Sequence, residues 1–268
     1  MINPVVAVFR FTAFLTITFV MMPFYLALLA VGWKRHSLCA RLYWRSVAKA
    51  LGFRVVTRGQ PEAIGPTLFV ANHASYLDII VLGSQIPGCF VAKTEVAGWP
   101  GLGLLSRMAQ TVFIDRSRGA TLKERDQMRR RLESGEQLIL FPEGTSNDGN
   151  AVLPFKSSLF AVAERPVVDA KGVSRPLTVQ PVSVAYSRLD GMPMQRAFRP
   201  FFAWYGDMTL AGHLYQVLGL GNVTIDVIYH PPVTIADFGD RKALAHHCHD
   251  IIHHSVVLAL AGRLPKMA

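Results

Sequence analysis

No charged residue occurs between positions 11 and 33, an apolar run long enough to cross a hydrocarbon core of about 30 Å. Pro23 interrupts it. A proline inside a helix costs about 3 kcal/mol and kinks it, so the run is expected to form either one kinked span or two short helices dipping into one leaflet. No Ala-x-Ala-like site precedes the basic flank, and the segment is therefore expected to stay attached. From Trp33 to Arg54 the pattern changes: Trp, Tyr and Leu interleave with Lys and Arg, as in an amphipathic helix lying on anionic headgroups, to about Leu51.

Beyond that helix the apolar positions come in short blocks. They predict strands at 53–58, 67–71, 89–92, 111–114, 137–141, 177–185 and 223–229. Helical spacing falls between them at 77–85, 102–109, 121–133, 159–163 and 242–260. This alternation indicates an α/β fold, a mixed, largely parallel sheet flanked by helices, preceded by a membrane-embedded helical segment. The expected division is 1–52 for the membrane segment and basic helix, and 53–268 for the α/β domain. Residues 188–197 read as a loop, and Phe201, Phe202, Trp204 and Tyr205 as an aromatic patch for core or lipid contact.

Composition sharpens the setting. Hydrophobic residues make up 51% of the 268 positions and charged residues 17%, so some surface is expected to face lipid. Lys34, Arg35, Arg41, Arg45 and Lys49 follow the apolar run and Arg10 precedes it, which by the positive-inside rule puts the α/β domain on the cytoplasmic side of the membrane. A net charge of +10 also suits nucleic acid, but the basic residues are scattered through apolar sequence without helix-turn-helix or zinc-finger spacing, which excludes that class. Cys39, Cys89 and Cys248 show no paired spacing and read as reduced thiols.

Candidate chemistry begins at the end of the second predicted strand, where His73 and Asp78 stand five positions apart. On one continuous helix that spacing turns the second side chain roughly 140° from the first. The two meet only if His73 ends the strand and Asp78 sits in the first turn of the following helix, where the dipole favours a carboxylate. An imidazole whose one nitrogen is held by a carboxylate can take a proton from a hydroxyl with the other. Two further apolar blocks end in charge or glycine, Phe113-Ile114-Asp115-Arg116 and Phe141-Pro142-Glu143-Gly144-Thr145.

With Val179-Gln180-Pro181-Val182 as a fourth block, the order resembles the glycerolipid acyltransferase family, in particular bacterial 1-acylglycerol-3-phosphate acyltransferases and their lysolipid-acylating relatives. Ala92-Lys93, Trp99-Pro100-Gly101 and Pro154-Phe155-Lys156 are similar to segments of that family, and the resemblance covers residues 54–186. It implies His73 as general base and Asp78 as its partner. It also implies a substrate-binding set of Asn72, Lys93, Arg116, Glu143, Gly144, Thr145, Lys156 and Pro181, with Arg116 on an acceptor phosphate. The implied reaction moves an acyl group from acyl-CoA or acyl carrier protein to a lysolipid, with no cofactor and no metal.

Two positions depart from the family pattern. Ser146 stands where Arg usually follows Glu-Gly-Thr, and Ser158 where Gly usually follows the Pro-Phe-Lys block. Serine cannot replace the bidentate, charged grip of Arg on phosphate. The leading expectation is acylation of 1-acylglycerol-3-phosphate to phosphatidic acid, with a lyso-ornithine lipid as alternative acceptor and a non-catalytic membrane lipid-binding protein as a third reading. Arg129-Arg130-Arg131 suits either acidic carrier protein or solvent. The His246, His249, Asp250 and His253 spacing suits either a metal or a headgroup-facing helix. No Gly-x-Ser-x-Gly, Walker A loop or His-Glu-x-x-His occurs.

Overall fold

The computed structural model describes residues 2–32, 36–62, 65–99, 103, 106, 109–114, 122–168 and 172–264. Asn3 starts the first helix, α1 (Pro4–Ala30), by accepting the N–H groups of Val5 and Val6 at 3.0 and 3.2 Å, and Pro4 at its first turn needs no donor. The helix runs through Pro23 unbroken, so of the two sequence-based alternatives the single helix is the one that forms.

It starts earlier than the charge-free run and takes in Arg10. That residue is buried. Its guanidinium donates to the carbonyls of Leu218 and Leu220, at 3.2 and 2.6 Å, and to Asn222 Oδ1 at 2.9 Å. The charge expected to flank the membrane segment is spent inside the protein.

α1 and α2 (His36–Ala50) pack on the domain through one shared core, in which Ala7, Phe14, Ile17 and Met21 meet Tyr43, Val47 and Leu51. Thr18 Oγ and Tyr43 OH lie 3.0 Å apart. The outer face of α1 leaves Val5, Phe9, Phe19 and Phe24 exposed.

Next come β1 (Phe53–Arg58), β2 (Thr67–Ala71), α3 (Leu77–Gln85), β3 (Cys89–Lys93), β4 (Val112–Ile114), α4 (Leu122–Glu133) and β5 (Leu138–Leu140). They are followed by the ribbon β6 (Val167–Val168) and β7 (Ser174–Arg175), β8 (Thr178–Leu189), β9 (Met192–Pro193), α5 (Leu210–Gly219), β10 (Val223–Tyr229) and α6 (Arg241–Leu260).

The main sheet has the order β1-β10-β8-β2-β5-β3-β4, with β9 paired to β8. From β8 to β4 all neighbours are parallel, while β10 is antiparallel to β8 and β1 parallel to β10. Strand β2 is buried at every position, as a central strand covered on both faces must be. Phe69 and Ala71 point to the face covered by α1, α2 and α3, and Leu68 and Val70 to the face covered by α4 and α6.

The sequence missed the β6–β7 ribbon, β9 and α5. In place of the expected 188–197 loop, β8 continues to Leu189 and turns at Asp190-Gly191, whose φ values of 50° and 82° give the two positive torsions of a hairpin turn. Residues 157–164 form 3-10 rather than α structure. Most of the expected 102–109 helix lies outside the described residues.

On the α6 side, His230 is buried with Nε2 2.8 Å from Ser183 Oγ. Burial, and secondarily His247, lowers its pKa from 6.5 to about 4. Between those values the unfolded chain takes up a proton here and the folded chain does not, so stability is present above pH 6.5 and lost as pH falls toward 4, by about 3 kcal/mol. His230→Gln should flatten that loss, read as a smaller drop in Tm across the same window.

Candidate active site

Strand β2 ends at Ala71, and the next residue continues its ladder with a side chain. Asn72 Nδ2 donates to the Val184 carbonyl at 2.9 Å, and its Oδ1 accepts from the Val184 N–H at 2.8 Å. Asn72 is therefore occupied in holding the loop to β8. The substrate contact expected of it is corrected to a structural one.

The chain then turns so that Asp78 falls in the first turn of α3, fully buried. Its Oδ2 lies 2.9 Å from His73 Nδ1 and accepts the Ala74 and Ser75 N–H groups at 2.8 and 3.0 Å. Oδ1 accepts the Tyr186 hydroxyl at 2.7 Å. Burial and the neighbouring carboxylate push the Tyr186 phenol well above its ordinary pKa, so it stays a donor. A carboxylate can only accept, so Nδ1 of His73 carries the proton and Nε2 is left as the basic end. The imidazole stacks on Phe141, centroids 4.1 Å apart.

Glu143 fixes the other side of the loop. Its Oε1 accepts the His73 N–H at 2.7 Å, and Oε2 accepts Leu153 N–H at 2.8 Å and Asn147 Nδ2 at 2.9 Å. Burial pushes this carboxyl up to about 8 against the pull of its donors. Every partner here is a donor, so the contacts fit the ionised form, and neither a protonated acid nor an amide can satisfy them in either orientation. Glu143→Gln should destabilise the fold by about 2 kcal/mol, the cost of stranding a buried donor, measured as a lower Tm with correspondingly reduced activity.

His73 opens onto a cavity of about 410 Å³. Apolar side chains, among them Phe14, Trp44, Ile79, Leu214 and Leu218, line most of it. Its polar wall includes His73, Lys93, Glu95, Gly144, Thr145 and Ser146. Gly144 has φ +74°, and a Cβ there would lie 2.9 Å from Lys156 Nζ, so the exposed Lys156 side chain covers this turn from outside. Ser146 Oγ donates to the Trp204 carbonyl.

The expected site residues thus separate. His73, Lys93, Gly144 and Thr145 face the cavity. Glu143 is buried behind it as an internal acceptor for the loop and is not among the described residues that line the cavity. Pro181 lies within β8 beside Val70 and is not among the described residues that line the cavity. Arg116 lies outside the described residues.

Tyr186, Asn147 and Glu95 were not anticipated. Tyr186 had a readable signal, since Val182, Val184 and Tyr186 alternate onto the face that holds Asp78. Of the three consecutive arginines, Arg129 pairs with Glu133 at 2.8 Å and Arg131 with Glu136 at 2.9 Å. Asp250 pairs with His246 and His249 at 2.8 and 3.0 Å, and among the described residues no group of three or more His, Cys, Asp or Glu is placed to hold a metal.

Fold and site together define an acyltransferase. A family model described as Acyltransferase matches residues 45–185, and the chain belongs to that family. It is 40% identical over 233 residues to a lyso-ornithine lipid O-acyltransferase of Brucella abortus, covering 87% of this chain and 86% of that one. It is 32% identical over 190 residues to a 1-acyl-sn-glycerol-3-phosphate acyltransferase of Neisseria gonorrhoeae, covering 70% and 69%. The crystal structure of the 1-acyl-sn-glycerophosphate (LPA) acyltransferase of Thermotoga maritima has the same fold, with a TM-score of 0.61 at 19% identity over 94% of this chain and 96% of that one. The chain is an enzyme that acylates lysolipids.

Proposed function

We propose that the acceptor is a lyso-ornithine lipid and that the enzyme transfers a fatty acyl group from acyl-CoA or acyl carrier protein to its free hydroxyl, giving ornithine lipid. The observation that carries this is Ser146. It lines the cavity and ties its hydroxyl to a backbone carbonyl, so the charge that the family offers a phosphate at this position is absent. The higher identity and fuller coverage of the Brucella relative support the same reading. They favour it over the phosphatidic acid product that led on sequence alone.

His73 Nε2 removes the proton from the acceptor hydroxyl as its oxygen attacks the thioester carbonyl. Asp78 holds the ring and balances the imidazolium. Collapse of the tetrahedral adduct breaks the carbon–sulfur bond, and the proton held by His73 passes to the leaving thiolate. The apolar wall suits the acyl chains.

α1 is docked lengthwise on the domain with its outer face apolar. A transmembrane disposition would carry α2 and α5 into the bilayer with it. α1 is instead assigned to one leaflet, with the domain on the cytoplasmic face of the inner membrane.

The test is acyl transfer by detergent-purified protein from labelled acyl-CoA and acyl carrier protein, with lyso-ornithine lipid and lysophosphatidate offered separately. Ornithine lipid as the main product is expected. Phosphatidic acid as the main product would overturn the acceptor assignment.

A further inference from the structure

Among the described residues, the acidic and basic side chains lining the cavity besides His73 are one glutamate and one lysine, Glu95 and Lys93. Lys93 ends β3 and Glu95 stands in the 3-10 turn that follows, Thr94–Gly98. Lys93 is half-buried and Glu95 is exposed at the rim.

The strand register locates them relative to the chemistry. Val70 of β2 and Val91 of β3 flank the same residue of β5, Leu140, so β2 and β3 are two strand spacings, about 10 Å, apart. His73 and Lys93 lie just past those positions at the same end of the sheet. A headgroup attached a few bonds from a hydroxyl at His73 Nε2 falls within reach of both rim charges.

Among the described residues, the rim pairs one cation with one anion, as a zwitterion does. A phosphate monoester would bring its charge against Glu95 as well as Lys93. In lyso-ornithine lipid the free hydroxyl is on the amide-linked acyl chain, and the headgroup carries one carboxylate and one primary ammonium. We infer that Glu95 accepts the ammonium of the acceptor headgroup while Lys93 holds its carboxylate, which makes Glu95 the residue that selects an amino-acid headgroup over a phosphate. This rests on the acceptor reading above and adds the residue responsible for it.

The test uses full-length purified enzyme and three acceptors: lyso-ornithine lipid, the same lipid with its terminal amine acetylated, and lysophosphatidate. Glu95→Gln should raise KM for lyso-ornithine lipid roughly tenfold, the scale of one charge-assisted hydrogen bond, with the loss falling in KM rather than kcat. The acetylated lipid should be a poor acceptor for the wild type and should not distinguish it from the variant. Glu95→Lys should depress use of lyso-ornithine lipid further and improve use of lysophosphatidate. If the wild type acylates lyso-ornithine lipid and its acetylated form equally well, and Glu95→Gln changes neither, the role of Glu95 is overturned while the acceptor reading stands. If the wild type acylates lysophosphatidate and not lyso-ornithine lipid, both fall together.

Discussion

Replacing His73 with alanine should lower kcat by roughly 10² to 10⁴, the share that a positioned general base supplies. Its melting temperature should stay close to that of the wild type, for a structural reason. The contact that holds this loop from the Glu143 side is the backbone N–H of His73, which alanine keeps. The contacts holding it from the Asp78 side include the N–H groups of Ala74 and Ser75, which are untouched. What is lost is the ring between Phe141 and the cavity. Single-turnover acyl transfer with a labelled thioester, together with a thermal melt, separates the two quantities. Turnover near that of the wild type would remove His73 from the chemistry. Partial recovery on adding free imidazole would support its assignment, because the deletion leaves a space open to the cavity.

Asp78→Asn should cost a comparable factor, on the order of 10³ to 10⁴ in kcat, the scale seen when the orienting carboxylate of a serine protease is replaced by its amide. The substitution can be absorbed without unfolding because the two carboxylate oxygens have different neighbours. Oδ2 faces His73 Nδ1 and two backbone donors, whereas Oδ1 faces one hydroxyl, which can rotate to accept. The amide nitrogen therefore settles toward Tyr186, and the remaining oxygen still caps the loop. The negative charge is gone, so an imidazolium at position 73 has nothing to balance it. Asp78→Ala differs in kind: it strands buried donors and should lower the melting temperature as well as kcat. Tyr186→Phe removes one hydroxyl, keeps the ring stacked on Phe202, and should give a much smaller loss than either. An Asp78→Asn enzyme as active as the wild type would mean that the pair only shapes the loop.

The pairing of His73 with Asp78 was legible because a strand–turn–helix junction is the one local geometry that lets side chains five apart meet, and the apolar run at 67–71 marks the junction. The central strands were legible for the same reason: β2 and β5 are buried at every position and, apart from Thr67, apolar, as strands covered on both faces must be. The partners that come from distant sequence were harder to see. Tyr186 reaches Asp78 across more than a hundred residues, and only the parallel pairing of β8 with β2 brings it there. Glu143 was seen as chemistry because it follows a strand and precedes a glycine. Its three donors come from three separate places in the loops, and no local pattern shows that they converge. α5 escaped because its apolar residues read as a tail, while its C-terminal carbonyls are capped by an arginine from the far end of the chain.

Phe14 of α1 forms part of the cavity wall, and Arg10, one turn earlier, pins that helix to the carbonyls at the end of α5. The anchor and the reaction vessel therefore share a side. A soluble version made by trimming the N-terminus would be an enzyme with one wall missing, and exchanging α1 for an unrelated hydrophobic leader would bring it to a membrane with the same breach. Engineering for solubility has to keep the inward face of α1, with Ala7, Arg10 and Phe14, and recolour only the outward one, where Phe9, Phe19 and Phe24 meet the surroundings.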